Sequence, residues 1–123
     1  MRLGPLKLKL QLVCGDGYAM GPGKADVLEA IDAHGSISAA GRALDMSYRR
    51  AWLLVDEMNR CFAERLVETA PGGGRGGARL TQGGRAALAA YRALEAQSAA
   101  ITDTDAYRRL AGMLRDEPLP PKA

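Results

Sequence analysis

The stretch from Gly35 to Asn59, GSISAAGRALDMSYRRAWLLVDEMN, constrains the fold of this chain more than any other. It reads as a short helix, a tight turn and a longer helix. Ser36 suits the N-cap of a helix that begins Ile37-Ser38-Ala39, because its hydroxyl can accept a backbone N–H left free there. Ala39 stands where a reciprocal capping box would carry Glu or Gln, so the cap is one-sided. Ile37, Ala40 and Leu44 fall on one face at helical spacing. Small Ala40 permits a second helix to cross closely. The turn Leu44-Asp45-Met46 needs a residue that tolerates left-handed backbone, and Asp is one of the few non-glycines that does. Ser47 is a second cap, which puts Tyr48, Arg49 and Arg50 in the first turn of the longer helix.

On a helical wheel, Ala51, Trp52, Leu54, Val55, Met58 and Phe62 share one broad apolar face. Arg49, Arg50, Leu53, Asp56 and Arg60 are left outside it. Two arginines in a first turn oppose the helix dipole, which favours acids at that end. Their placement suits a negatively charged partner. In a helix-turn-helix the start of the second helix enters the major groove, where arginine can bond guanine O6 and N7. The bland alternative is a pair of solvated arginines; the motif around them favours the groove.

Composition sets the scale. With 123 residues, 47% of them hydrophobic, the chain can bury one core and forms one domain with a short arm or tail. A net charge of +3 permits nucleic acid as a partner without requiring it. Cys14 and Cys61 belong to no CxxC pair, and His34 is the one histidine, too few soft ligands for a zinc site. The cysteines are expected as buried thiols, neither a disulfide nor a redox switch. No cofactor or metal is implied. No twenty-residue apolar run occurs, and the early leucines alternate with lysines instead of forming a signal-peptide core. The expectation is a soluble, cytoplasmic protein without a membrane partner.

Along the chain, Leu6, Leu8, Leu10 and Leu12 alternate with Lys7, Lys9 and Gln11, the period of a half-buried strand. Gly15-Asp16-Gly17 is a turn signal, and Tyr18-Ala19-Met20 can return as a second strand. Gly21-Pro22-Gly23 breaks the chain before a helix from Lys24 to His34, which Gly35 ends. Beyond the second helix of the motif, Leu66-Val67-Glu68-Thr69 and Ala78-Arg79-Leu80-Thr81 read as paired strands around Pro71-Gly72-Gly73-Gly74-Arg75-Gly76-Gly77. A strand, flexible loop and strand behind a helix-turn-helix form a wing. Arg75 at its tip and Arg79 near its base can bond phosphate or enter the minor groove. The glycine run matches neither a phosphate-binding Walker loop nor a dinucleotide fingerprint.

Thr81 caps an alanine-rich helix from about Gln82 to Ala100. Ala87, Tyr91, Leu94, Ser98 and Ile101 alternate steps of four and three, a coiled-coil spacing that can pack on a second copy. A further helix from Asp105 to Arg115, with Ala106, Tyr107, Leu110, Met113 and Leu114, can complete that dimer seam. Residues 117–123 read as a frayed tail. The expected divisions are an N-terminal strand or hairpin (1–23), the winged helix-turn-helix (24–81), C-terminal dimerising helices (82–116) and the tail. The fold class is mostly α with a small β component.

GSISAAGRALDMSYRRAW, followed by Asp56-Glu57-Met58-Asn59, resembles the N-terminal winged-helix domain of the molybdate-responsive transcription regulators, the ModE family, and more distantly that of LysR-type regulators. Leu66-Val67-Glu68, the Gly72 to Gly77 loop and Leu80-Thr81-Gln82-Gly83-Gly84 resemble the family's wing and the start of its dimerising helix. The leading LxLxL pattern and Gly21-Pro22-Gly23-Lys24 are also similar, so the likeness runs from about Leu6 to Ile101. It implies a homodimer on palindromic double-stranded DNA, with groove contacts from Ser47, Tyr48, Arg49 and Arg50 and phosphate contacts from Ser36 and Ser38; Leu53 joins them, with Arg75 and Arg79, in the candidate DNA-binding set. Full-length members continue into molybdate-binding domains that are absent from this sequence, so molybdate binding is not expected of it. Asp45 departs from the glycine that related turns often carry. An enzyme is the weakest alternative, because nothing pairs a nucleophile with a base. A protein-docking module, relying on exposed apolar groups such as Leu53, and a non-specific architectural DNA binder are the stronger rivals.

Overall fold

The computed structural model describes residues 1–70 and 76–122. Through these residues the chain runs β1 (Arg2–Leu3), β2 (Leu6–Lys7), β3 (Leu12–Cys14), β4 (Gly17–Met20), α1 (Pro22–His34), α2 (Ile37–Ala43) and α3 (Tyr48–Cys61). It continues through β5 (Val67–Thr69), β6 (Ala78–Leu80), α4 (Gln82–Ser98), a 3-10 segment (Ala99–Asp103) and α5 (Asp105–Gly112). The strands pair as three antiparallel hairpins, β1-β2, β3-β4 and β5-β6. The result is a mostly helical, winged-helix-like fold.

Helix α1 is its centre. Lys24, Ala25, Val27, Leu28, Ala30 and Ile31 are all buried, and α2, α3, α4 and β6 pack around them. The helix opens at Pro22, two residues before the expected Lys24. Pro22 has no N–H to leave unpaired, so it starts a helix instead of breaking one. The division expected between residues 23 and 24 therefore falls inside the first turn of α1. Gly35 ends the helix at φ 75°, its N–H donating to Ile31 O at 2.8 Å.

The expected strand from Leu6 to Leu12 is broken. Gly4, at φ 58°, folds Arg2–Leu3 back along Leu6–Lys7, and pairing resumes only at Leu12. The alternation survives as burial: Leu6, Leu8 and Leu10 are half-buried while Lys7 and Lys9 are exposed. Leu12 departs from it and is exposed. What holds the middle of this arm is a side chain, since Tyr91 Oη on α4 donates to Leu10 O at 2.8 Å.

At the far end, α4 begins on Thr81, whose Oγ1 accepts from Gly84 N–H at 2.9 Å and donates to Arg65 O at 2.7 Å. The helix ends at Ser98, short of Ala100, and α5 ends at Gly112, short of Arg115. Arg92 clamps α4 to α1, bonding Asp26 (2.8 Å) and Glu29 (2.7 Å), and bonds Glu95 of its own helix at 2.8 Å. Partial burial works against the Arg92 charge, but the Glu29, Asp26 and Glu95 carboxylates outweigh it and raise its pKa.

Cys14 and Cys61 are free, and both are half-buried, not fully buried as expected. The fold brings them together: Cys14 Sγ donates to Cys61 O at 3.9 Å. Hydrogen bonding with Cys14, then desolvation, raises the pKa of the Cys61 thiol, which disfavours the reactive thiolate.

Gly84 marks the tightest crossing, where a Cβ would stand 2.1 Å from Leu66 O. Gly84→Ala is expected to lower stability by about 1–3 kcal/mol or more, because backbone has to shift. Gly23→Ala, where a Cβ meets nothing within 4 Å, should be neutral or stabilising. Urea unfolding of the two variants checks the contrast.

Candidate nucleic-acid interface

The helix-turn-helix forms as its caps dictate. Ser36 Oγ accepts from Ala39 N–H at 3.0 Å and Ser47 Oγ from Arg50 N–H at 3.1 Å. Between the helices, Asp45 takes the left-handed conformation at φ 55°. Met46 N–H then closes the turn on Gly41 O at 2.9 Å. Gly41 is needed there, since a Cβ would come within 3.0 Å of Met46 O. Ile37 and Ala40 point into the core, as do Ala51, Val55 and Met58 of α3, with Leu54 and Phe62 packed at its edge.

Trp52 does not join that face. It is 45% exposed, whereas the wheel placed it inside. Successive residues turn about 100° around a helix, so Trp52 lies well round from Ala51. Ala51 itself sits against the close crossing at Gly41, a place its small side chain fills. Trp52 therefore stands with Tyr48, Arg49, Arg50 and Leu53 on the solvent side of α3. Among the described residues, neither Arg49 nor Arg50 forms a salt bridge. Further along this side, Arg60 Nε bonds Asp56 Oδ2 at 2.9 Å.

Ser38 is exposed near the start of α2, its Oγ accepting from Arg42 Nη1 at 2.9 Å. Strands β5 and β6 form the wing base beside the helices. Arg79, expected as a phosphate or minor-groove contact, faces Glu68 across the ladder, and its Nη2 bonds Glu68 Oε2 at 3.1 Å. Arg75 lies outside the described residues.

Two ties hold the wing base against the helices. Ala78 N–H donates to Gly35 O at 2.8 Å, at the corner between α1 and α2. From the last turn of α3, Asn59 Oδ1 accepts from Leu66 N–H (2.8 Å) and Val67 N–H (3.1 Å), while Nδ2 donates to Val67 O at 3.1 Å. Asn59 is the positioning residue that spacing arguments missed. Its signal was a polar amide one turn after buried Val55, on nearly the same side of the helix. Buried Lys24 adds a tie from α1 to α3 by bonding Glu57 Oε1.

The expected dimer seam is not one outward stripe. Tyr91 is only 2% exposed and serves its own domain, and Ala87 is packed against the same core. Leu94 and Ile101 are exposed, and half-buried Ser98 donates to Leu94 O at 2.8 Å. On α5, Leu110 faces solvent, as do Met113 and Leu114 just after it. Tyr107 instead turns toward the β1-β2 hairpin, its hydroxyl 3.6 Å from where a Gly4 Cβ would be.

Among the described residues, no helix is long and apolar enough to cross a membrane. No group of three His, Cys, Asp or Glu side chains there could hold a metal ion. No buried side-chain N or O there lacks a hydrogen-bond partner.

Known proteins similar to this chain share its N-terminal part. The molybdenum-pterin-binding protein MopA of Rhodobacter capsulatus is 41% identical over 92 residues, 74% of this chain and 35% of MopA. The molybdenum transport protein ModE of Azotobacter vinelandii is 40% identical over 88 residues, 71% of this chain and 33% of that protein. The match is to the ModE family. A further ModE relative, the DNA-binding transcriptional dual regulator of Escherichia coli K12, is 39% identical over 71 residues, 57% of this chain and 27% of its own. No protein-family model matches the chain. The chain spans about a third of the length of the curated relatives it matches, 35% of MopA and 33% of the Azotobacter ModE.

Asn59→Ala removes three hydrogen bonds at once and strands two backbone N–H groups. At roughly 0.5–1.5 kcal/mol per bond, a loss of about 2–4 kcal/mol is expected in urea unfolding.

Proposed function

We propose that this chain is a sequence-specific DNA-binding transcriptional regulator of ModE type that acts as a homodimer on a palindromic duplex. One observation carries the reading: the first half of α3 presents Tyr48, Arg49, Arg50 and Leu53 to solvent, with neither arginine ion-paired among the described residues. The name of the Escherichia coli relative supports it.

In this reading the start of α3 enters the major groove and Arg49 meets base edges. The Ser36 and Ser47 oxygens already accept cap hydrogen bonds, which leaves the Ser36 O–H free to donate to phosphate and the Ser47 O–H free to donate in the groove. Ser38 offers a third hydroxyl. Arg75 and Arg79 approach the backbone from the wing. Arg79 first exchanges Glu68 for phosphate, a small cost because exposed pairs contribute about 0–1 kcal/mol.

The dimer surface follows exposed apolar groups: Leu94 and Ile101, extended by Leu110, Met113 and Leu114. Ala87 and Ser98 border it, and Tyr91 supports it from inside. Paired domains then present two copies of α3 to half-sites on one face of the duplex. Molybdenum binding, printed in the names of much longer relatives, is not assigned to this chain. The rival reading is a protein-docking module, which exposed Leu53 on α3 and Leu110 on α5 would suit.

Selection of bound fragments from random duplex DNA, at near-physiological salt, tests the proposal. An inverted repeat is expected; no retained DNA would transfer support to the docking module. Arg49→Ala should weaken binding to the enriched site by about 1–3 kcal/mol and relax specificity at one base pair. Log affinity should fall against log salt by roughly 0.9 per phosphate contact. Leu110→Glu combined with Leu114→Glu should leave the domain folded and shift it to monomer in sedimentation.

A further inference from the structure

Trp52 is the single tryptophan in the chain, and it stands 45% exposed halfway along the face of α3 that carries Arg49. Tyr48, one turn earlier, is 57% exposed. Residues four apart on a helix project alike, so the two rings share one flank. Neither belongs to the core. An indole left in water forfeits the apolar burial that makes tryptophan worth carrying in a core or interface.

The surroundings say what kind of surface would cover it. Arg49 neighbours the rings without a salt-bridge partner among the described residues, Arg50 is exposed and equally unpaired farther round the helix, and the Asp56–Arg60 pair follows one turn later. An apolar protein surface laid over the rings would strand the arginines. A groove lined with phosphates satisfies them and still has an apolar feature to offer, because thymine presents its C5-methyl group in the major groove.

We propose that Trp52, with Tyr48 beside it, is a specificity-determining residue that packs on thymine methyl groups in the major groove. This rests on the DNA-binding reading of α3. It gives the protein a preference for thymine at steps next to those faced by Arg49, through contact instead of hydrogen bonding.

The probe is a duplex enriched by the purified protein from random sequence, end-labelled so that anisotropy reports binding independently of the indole. Because the chain has one tryptophan, its emission reports this position alone. The free protein should be readily quenched by acrylamide, and quenching should fall as the duplex saturates. Replacing contacted thymines with uracil removes only the methyl groups. It should weaken wild-type binding about three- to fivefold per thymine, the value of burying one such group. Trp52→Ala should bind the thymine and uracil duplexes equally. Saturated binding with unchanged acrylamide quenching overturns the proposal, as does an equal uracil penalty in wild type and Trp52→Ala. Shielding that already exists in the free protein and disappears on dilution also overturns it, since a second copy then covers the ring. A duplex that never raises anisotropy removes the DNA-binding reading itself, and this proposal with it.

Discussion

The burial of α1 is the constraint on which the other surfaces depend. This one helix touches α2, α3, α4 and β6, so each of those elements is oriented by the face of α1 that it covers. Apolar packing alone leaves such contacts free to slide. The polar ties remove that freedom. Lys24 holds α3 through Glu57, Arg92 holds α4 to Asp26 and Glu29, and the Gly35 carbonyl holds β6 through Ala78. The candidate DNA surface is thus the outer side of a helix whose inner side, Ala51, Val55 and Met58, is fixed in the core.

Much of this was legible in residue order, and the reasons are local. Caps and turns are decided by short-range chemistry, so Ser36, Ser47 and Thr81 take the roles that their hydroxyls suit, and Asp45 adopts left-handed backbone. The hairpin pairing Val67 with Leu80 is equally local in cause, because the two strand patterns flank one glycine-rich connection. Where the chain must choose between equally apolar positions, spacing loses its power. Trp52 and Ala51 are neighbours in sequence, and a wheel assigns both to the inner face. Only Ala51 lies against the close crossing at Gly41, and Trp52, about 100° farther round, reaches solvent. Tyr91 shows the opposite case: its position suits an outward seam, but the carbonyl of Leu10 draws it inward. Asn59 is a third case: its polar amide one turn after Val55 is a signal, but its partners are backbone groups across a loop, which no side-chain pattern names.

The N-terminal arm follows the same division. Alternating leucines and lysines ask for one face buried and one wet, and that request is met without a continuous ladder. Leu6, Leu8 and Leu10 are half-buried, the Leu8 backbone bonds Met1, and residues 9–11 belong to no strand. Periodicity records which side chains meet water. It does not record which backbone groups meet each other.

The crossing at Gly84 links two proposed activities mechanically. Its backbone lies so near Leu66 O that no side chain fits between, and Thr81 bonds both Arg65 O and Leu66 O at the same point. The first turn of α4 and the entry to β5 therefore behave as one rigid joint. Any tilt of α4 imposed by a second copy of the chain turns the base of the wing by the same angle. In the proposed homodimer, self-association would set wing pitch as well as valency, and a subunit contact remote from the proposed DNA surface would become a means of adjusting the fit to it.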